Sequence, residues 1–276
     1  MSFSYTRRYA GPIRAVVLDW AGTAVDHGCV APVGVFVDAF RERGVDVTLA
    51  EAREPMGTHK RDHIARMCAM PALRARWVAA NGVAPSEADI DAMYAAIEPL
   101  ALAILPRFAA PIPGLIDAIA ALRARGIKIA STSGYNRAML DTLAAASAPL
   151  GYAPDARVAA SEVPAGRPAP FLAWEAAARV GVWPAAATVH VGDTVVDIEA
   201  GLNAGMWSVG VAASGNEVGL DADAFAALDA ADRAERVGRA REKLARAGAH
   251  AVLDSVAGLP ALVGQIEAWI RDGRQP

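Results

Sequence analysis

The constraint that bears hardest on this chain is the distance between its first strand and its second. Residues 13–18 form a short apolar run that stops at Asp19, and the next run of that kind is 127–131. From there β-type runs recur at 157–160, 188–191, 207–211 and, weakly, 251–253, with helical periodicity between them over 136–146, 169–180, 195–204 and 223–247. Strand and helix in alternation predict an α/β fold on a parallel, Rossmann-like sheet, whose ligands sit at the carboxyl ends of the strands near the topological switch point. The stretch between the first two strands reads instead as helices, at 33–43, 58–70, 72–80 and 87–105. Pro111-Ile112-Pro113-Gly114 reads as the return linker, and helix 114–125, stopped by Gly126, leads into the second strand. About 80 residues of helix in one connection predict a second unit inserted into the first. The expected organisation is an α/β core over 1–27 and 108–276 with a helical cap domain over 28–107.

Composition narrows the function classes. Lys+Arg is 27 against 30 for Asp+Glu, a net charge of −3, so the chain lacks the positive field that nucleic-acid binding requires. At 54% hydrophobic and 21% charged residues it is globular rather than disordered. Its two cysteines, Cys29 and Cys68, make neither a disulfide framework nor a zinc pattern, which fits a reducing, cytoplasmic setting, with Cys68 read as a buried apolar residue. Residues 1–12 carry Arg7 and Arg8 without a preceding apolar stretch. The apolar segment 95–112 is interrupted by Glu98, Pro99, Pro106 and Arg107, so it reads as a buried helix, and no membrane association is expected. The tail, 221–276, is expected to complete the outer helices and the last strand.

Four pieces carry chemistry. The first strand ends in Asp19-Trp20-Ala21-Gly22-Thr23, which puts a carboxylate beside a turn able to offer N–H groups to a phosphate. Ser131-Thr132-Ser133-Gly134 ends the second strand, where a hydroxyl backed by a helix N-terminus can hold a phosphoryl oxygen. Gly166-Arg167-Pro168 opens a helix with a cation. Gly192-Asp193-Thr194-Val195-Val196-Asp197 follows the 188–191 strand and sets two carboxylates at i and i+4, a donor set that suits Mg²⁺. Taken singly, each has a plainer reading as a turn, an N-cap or a solvated charge.

In this order the four resemble the haloacid dehalogenase superfamily, whose members form an aspartyl intermediate and mostly use Mg²⁺. The resemblance implies Asp19 as nucleophile and Mg²⁺ held by Asp19, Asp193 and the Ala21 carbonyl. It implies Ser133, Gly134 and Arg167 on the phosphoryl group, with Asp197, Thr194 and Thr23 supporting the site. One position departs from the pattern. Phosphatases of that superfamily carry a second Asp two residues after the nucleophile, to protonate an oxygen leaving group, and this chain has Ala21 there. The alternative of a phosphatase or phosphomutase acting on a small phosphomonoester is therefore disfavoured. A silent binding protein on the same fold is disfavoured by the full acid, hydroxyl and cation set.

A leaving group that needs no oxygen acid calls for an electron sink. Met56, Lys60 and His63 are spaced i, i+4 and i+7, which puts them on one face if a helix extends over all three. A desolvated Lys60 on that face can form an imine with a carbonyl, and the iminium accepts the electrons of a breaking C–P bond. DWAGT at Asp19, MGTHKRDHI over 56–64, EVPAGRP over 162–168, GDTVVD over 192–197 and NAGMW over 203–207 together resemble the phosphonatase family of that superfamily. That resemblance implies Lys60 as the Schiff-base lysine, with Met56, His63, Tyr135 and Cys29 at the substrate. It implies hydrolysis of phosphonoacetaldehyde to acetaldehyde and phosphate in 2-aminoethylphosphonate breakdown, by a homodimer joined through its cap. His59 is expected at the surface.

Overall fold

The computed structural model describes residues 8–276, so residues 1–7, Arg7 among them, lie outside the described residues. The central strand, β1 (Ala15–Leu18), reads AVVL and is buried at every position, as a strand covered on both faces must be. It pairs in parallel with β2 (Lys128–Ser133) on one side and β4 (Thr188–Gly192) on the other. With β3 (Ala156–Ala159), β5 (Trp207–Val211) and β6 (Ala251–Leu253), the six-stranded sheet has the order β3-β2-β1-β4-β5-β6. All of its pairings are parallel. The order reverses between β1 and β4, so the crevice for ligands opens where these two strands end side by side, with Leu18 in register with Val191.

Between β1 and β2 the chain makes α1 (Val30–Arg41), α2 (Leu49–Arg53), α3 (Lys60–Ala69), α4 (Pro71–Asn81) and α5 (Glu87–Ile104). Helices α1, α2 and α5 begin where a side chain accepts from their first backbone donors. The Asp26 carboxylate accepts from Val30 and Ala31 N–H, which starts α1 ahead of the expected residue 33. Thr48 and Ser86 form capping boxes with Glu51 and Asp89 at α2 and α5. Helix α2 is absent from the sequence reading. Ile90, Met93, Ile97 and Ala101 of α5 are buried at helical spacing, and Phe40 of α1 meets Trp77 of α4 edge to face. The apolar segment 95–112 is not one helix: α5 ends at Ile104, a 3₁₀ turn covers Leu105–Phe108, and the chain returns extended. Both connections of the insertion run together there, with Val25 bridged to Pro111 and Ile112 N–H donating to Ala24 O.

After the insertion come α6 (Leu115–Ala124), α7 (Arg137–Ser147), α8 (Phe171–Arg179) and α9 (Val195–Asn203), which link the strands in turn. The single helix expected over 223–247 is two, α10 (Ala222–Ala227) and α11 (Ala230–Arg246). Asp229 breaks the run because its side chain caps α11 by accepting from Asp232 N–H. Helix α12 (Leu259–Arg271) closes the fold. Among the described residues no helix is long and apolar enough to cross a membrane.

Candidate active site

Asp19 begins where β1 ends, and its N–H donates to Val191 O at 2.9 Å, so the loops after β1 and β4 leave the sheet together. Gly22 sits at φ +83, and a Cβ there would overlap the Asp193 carboxylate; the glycine is what lets these two loops meet. Thr23 Oγ1 donates to Asp193 Oδ1 at 2.9 Å, and Asn216 N–H donates to its Oδ2 at 2.7 Å. Asp193 is thus oriented through both oxygens. Asp197 closes a capping box at the start of α9, its Oδ2 accepting from Thr194 N–H at 3.1 Å and Thr194 Oγ1 at 2.5 Å. Its other oxygen lies 2.7 Å from Arg167 Nη1.

Arg167 is the hub of the charge arrangement. It is 3% exposed, its Nη2 stands 2.6 Å from Asp19 Oδ1, and the same nitrogen donates to Thr132 Oγ1 at 2.7 Å. One planar guanidinium therefore ties together the chain ends of β1 and β2 and the first turn of α9. Ser133 Oγ accepts from Tyr135 N–H at 3.1 Å, at the mouth of α7. Carboxylate oxygens of Asp19, Asp193 and Asp197 all lie within 4.8 Å of one another, and all three residues are buried. Burial pushes the Asp19 carboxyl up, against the pull of Arg167. Burial, then the charges of Asp19 and Asp197, push Asp193 well above the usual carboxylate range. Negative charge crowded in so dry a place exceeds what Arg167 neutralises, so the oxygen donors fit a hard divalent cation. Asp19, Asp193 and Asp197 together form the oxygen cluster that could hold such an ion.

The insertion supplies the other half. Lys60 is the first residue of α3 and only 6% exposed, its amine 4.8 Å from the Tyr135 ring centre and 5.6 Å from that of Phe36. Burial holds its pKa below the usual lysine value and Arg167 acts in the same direction, while Cys29, Asp19 and Asp26 oppose them. The Cys29 thiol and the Tyr135 phenol are pushed well above their usual ranges, mainly by burial, so both stay protonated; the Tyr135 hydroxyl has no hydrogen-bond partner. The insertion lies directly on the core. A Cβ on Gly57, at φ +89, would overlap Thr194 Oγ1, and one on Gly134 would stand 2.5 Å from Thr58 O.

The structure brings most of the expected residues to one cavity. Asp19, Ala21, Ser133, Gly134, Tyr135, Arg167 and Thr194 wall it from the sheet side, and Cys29, Met56 and Lys60 from the insertion. Thr23, Asp193 and Asp197 support it through the bonds above. The shared face of Met56, Lys60 and His63 does not form, because α3 begins only at Lys60 and Met56 lies in the preceding turn. His63 is not in the cavity wall: it stacks on Phe36 with ring centres 3.8 Å apart, and its Nε2 bonds Ala52 O at 2.8 Å. Burial pulls its pKa well down, so it is a neutral core residue of the insertion. His59 is half-buried against Tyr94 rather than at the surface. Cys68 is buried as expected. Thr132, Asp26 and Asn216 were missed by sequence reasoning. Thr132 was hidden inside a motif read for Ser133, whereas Asn216 lies in a Ser-Gly-Asn turn just after β5, where a strand-end loop was a readable signal.

A parallel sheet with an acid triad at its switch point, covered by a helical insertion in the first connection, defines a hydrolase of the haloacid dehalogenase type. The family model described as haloacid dehalogenase-like hydrolase matches residues 13–205. The chain is 48% identical over 274 residues to phosphonoacetaldehyde hydrolase of Nitratidesulfovibrio vulgaris, covering 99% of this chain and 98% of that one. It is 47% identical over 276 residues to the protein of the same name from Hahella chejuensis, covering 100% and 94%. The crystal structure of a phosphonoacetaldehyde hydrolase-like protein from Oleispira antarctica superposes with a TM-score of 0.97 at 38% identity, covering 100% of both chains. The chain belongs to the phosphonoacetaldehyde hydrolase family.

Proposed function

We propose that this chain hydrolyses the C–P bond of phosphonoacetaldehyde to acetaldehyde and phosphate, in the cytoplasm, as a step of 2-aminoethylphosphonate breakdown. The core over 1–27 and 108–276 carries the nucleophile, and the cap over 28–107 carries the Schiff-base lysine and joins two copies into a homodimer. The observation that carries the reading is Lys60: a buried amine of lowered pKa sharing one cavity with Asp19, where Ala21 replaces the acid an oxygen leaving group would need. Ser133, Gly134 and Arg167 bind the phosphonate. Asp19, Asp193 and the Ala21 carbonyl would hold Mg²⁺, which would supply positive charge so that an anionic carboxylate can face an anionic phosphonate. The neutral Lys60 amine adds to the aldehyde and, with uptake of one proton, expels water to give an iminium. Asp19 then attacks phosphorus, and the C–P electron pair moves into the iminium to leave an enamine. Water hydrolyses the aspartyl phosphate. Protonation at carbon and hydrolysis of the imine release acetaldehyde and return Lys60. The packed insertion keeps bulk water from the iminium until cleavage is done.

Borohydride trapping tests this directly. Protein, Mg²⁺ and phosphonoacetaldehyde are mixed and reduced, and the adduct is located by mass spectrometry. A two-carbon amine adduct on Lys60, absent from Lys60→Arg, is expected, because a guanidinium keeps the charge but forms no imine. A folded, metal-loaded protein that gives no adduct, or a Lys60→Arg variant with near-parental kcat, refutes the Schiff-base step.

A further inference from the structure

Arg53, the last residue of α2, has no part in the chemistry above, yet it makes the densest set of bonds between insertion and core. Its Nη1 donates to Gly28 O at 2.7 Å and to Asn216 Oδ1 at 3.2 Å, and its Nη2 donates to Gly219 O at 2.9 Å. The Asn216 amide returns a bond from Nδ2 to Arg53 O at 3.2 Å. Among the described residues no carboxylate lies within ion-pair range of this guanidinium, so its acceptors are uncharged oxygens held at fixed places. Gly219, at φ +68, gives it room: a Cβ there would stand 2.9 Å from Arg53 Nε. The segment it grips on the other side is strained, because Asp26 and Cys29 both take left-handed backbone without being glycine, at φ 54 and 51.

The two ends of this clamp reach the site. Cys29 lines the cavity, and Asn216 N–H donates to Asp193 Oδ2 at 2.7 Å. We infer that Arg53 is a positioning residue: it fixes the insertion on the core and, through Asn216, orients Asp193 for the metal. Metal affinity and closure of the insertion are then coupled, each favouring the other by the same factor. The inference rests on the metal-site reading above.

Calorimetric titration of Mg²⁺ into substrate-free protein, paired with kcat and KM, tests it on Arg53→Ala, Arg53→Lys and Asn216→Ala. Arg53→Ala is expected to weaken Mg²⁺ binding about 10-fold or more and to lower kcat, the scale on which supporting residues act at metal sites. Arg53→Lys is expected to recover only part of this, since one ammonium cannot span the separated acceptors. Asn216→Ala is expected to match the Mg²⁺ loss, and the double variant to be no worse than either single one, because both break one chain of bonds. If Arg53→Ala does not fold, Arg53→Lys and Asn216→Ala carry the test. Variants with a lowered melting temperature but parental Mg²⁺ affinity and kcat per folded molecule would overturn the proposal alone. A parent protein that binds no Mg²⁺ would overturn the metal reading and this proposal together.

Discussion

Gly134→Ala tests whether the insertion must sit as close to the core as the structure has it. Nothing in the backbone conformation of Gly134 demands glycine, since its φ lies outside the left-handed region, so the substitution acts through space alone. The new Cβ would stand 2.5 Å from Thr58 O and 3.2 Å from Gly57 O. Ordinary contact needs about 3.5–4.0 Å, so two stretches of backbone must separate by about 1 Å. Overpacking of that kind costs about 1–3 kcal/mol, and here the cost falls on the closed state. At about 1.4 kcal/mol per decade, the closed-to-open ratio drops by about 5- to 150-fold. Lys60 follows Thr58 by two residues, so any insertion that stays closed carries its amine away from Asp19 by a similar distance. Phosphate release from phosphonoacetaldehyde, followed together with the rate of borohydride trapping, should show both falling, by at most that factor. A Gly134→Ala enzyme with kcat/KM within about twofold of the parent would refute the argument that this contact sets the distance between lysine and nucleophile.

Asp19→Ala should still form the trapped Lys60 adduct but release no phosphate; acetaldehyde at the parental rate would exclude Asp19 as nucleophile. The kcat/KM of the parent should rise with pH as Lys60 loses its proton, with the rise centred below the free-lysine value of about 10.4 because burial favours the neutral amine; a limb centred at or above that value would contradict the lowered pKa. Stability should carry the mark of His190, which is 1% exposed in β4, has neither ring nitrogen bonded, and is pulled by burial to about 4. Between its unfolded value near 6.5 and 4 the unfolded chain binds the extra proton, so stability falls as pH falls through that window, by about 3 kcal/mol for this group. Urea titrations at pH 7 and 4.5 should show that His190→Leu loses less stability on acidification than the parent; equal losses would show that the pKa of His190 is not lowered in the fold.

The parts of the site legible in the sequence are those where local chemistry and position coincide. Asp19 and Asp193 each follow a short buried strand and Ser133 ends one, and a parallel sheet brings strand ends together whatever else the chain does. Ala21 and Lys60 were readable for a different reason: an absent acid and a lysine in the insertion constrain the chemistry jointly. His63 shows the limit. Lys60 and His63 share α3 and both lie against Phe36, but stacking on that ring and the bond to Ala52 O keep the imidazole out of the cavity wall, and neither contact can be read from helical spacing. The break at Asp229 and the early start of α1 are capping events of the same local kind, in which one side-chain oxygen outweighs the apolar periodicity.

From its sequence alone this chain determined the alternation of strand and helix, the long helical insertion after the first strand, and the order of its acids, hydroxyls and cations, because these follow from short-range periodicity and residue type. Tertiary structure decided which of these groups meet. Arg167 joins Asp19 to Asp197, Thr23 turns toward Asp193, and Arg53 reaches Gly219 only because the sheet order folds distant segments onto one another. The lowered pKa of Lys60 belongs to that level too. It comes from the water excluded when insertion and core close together, and no stretch of sequence taken by itself contains that burial.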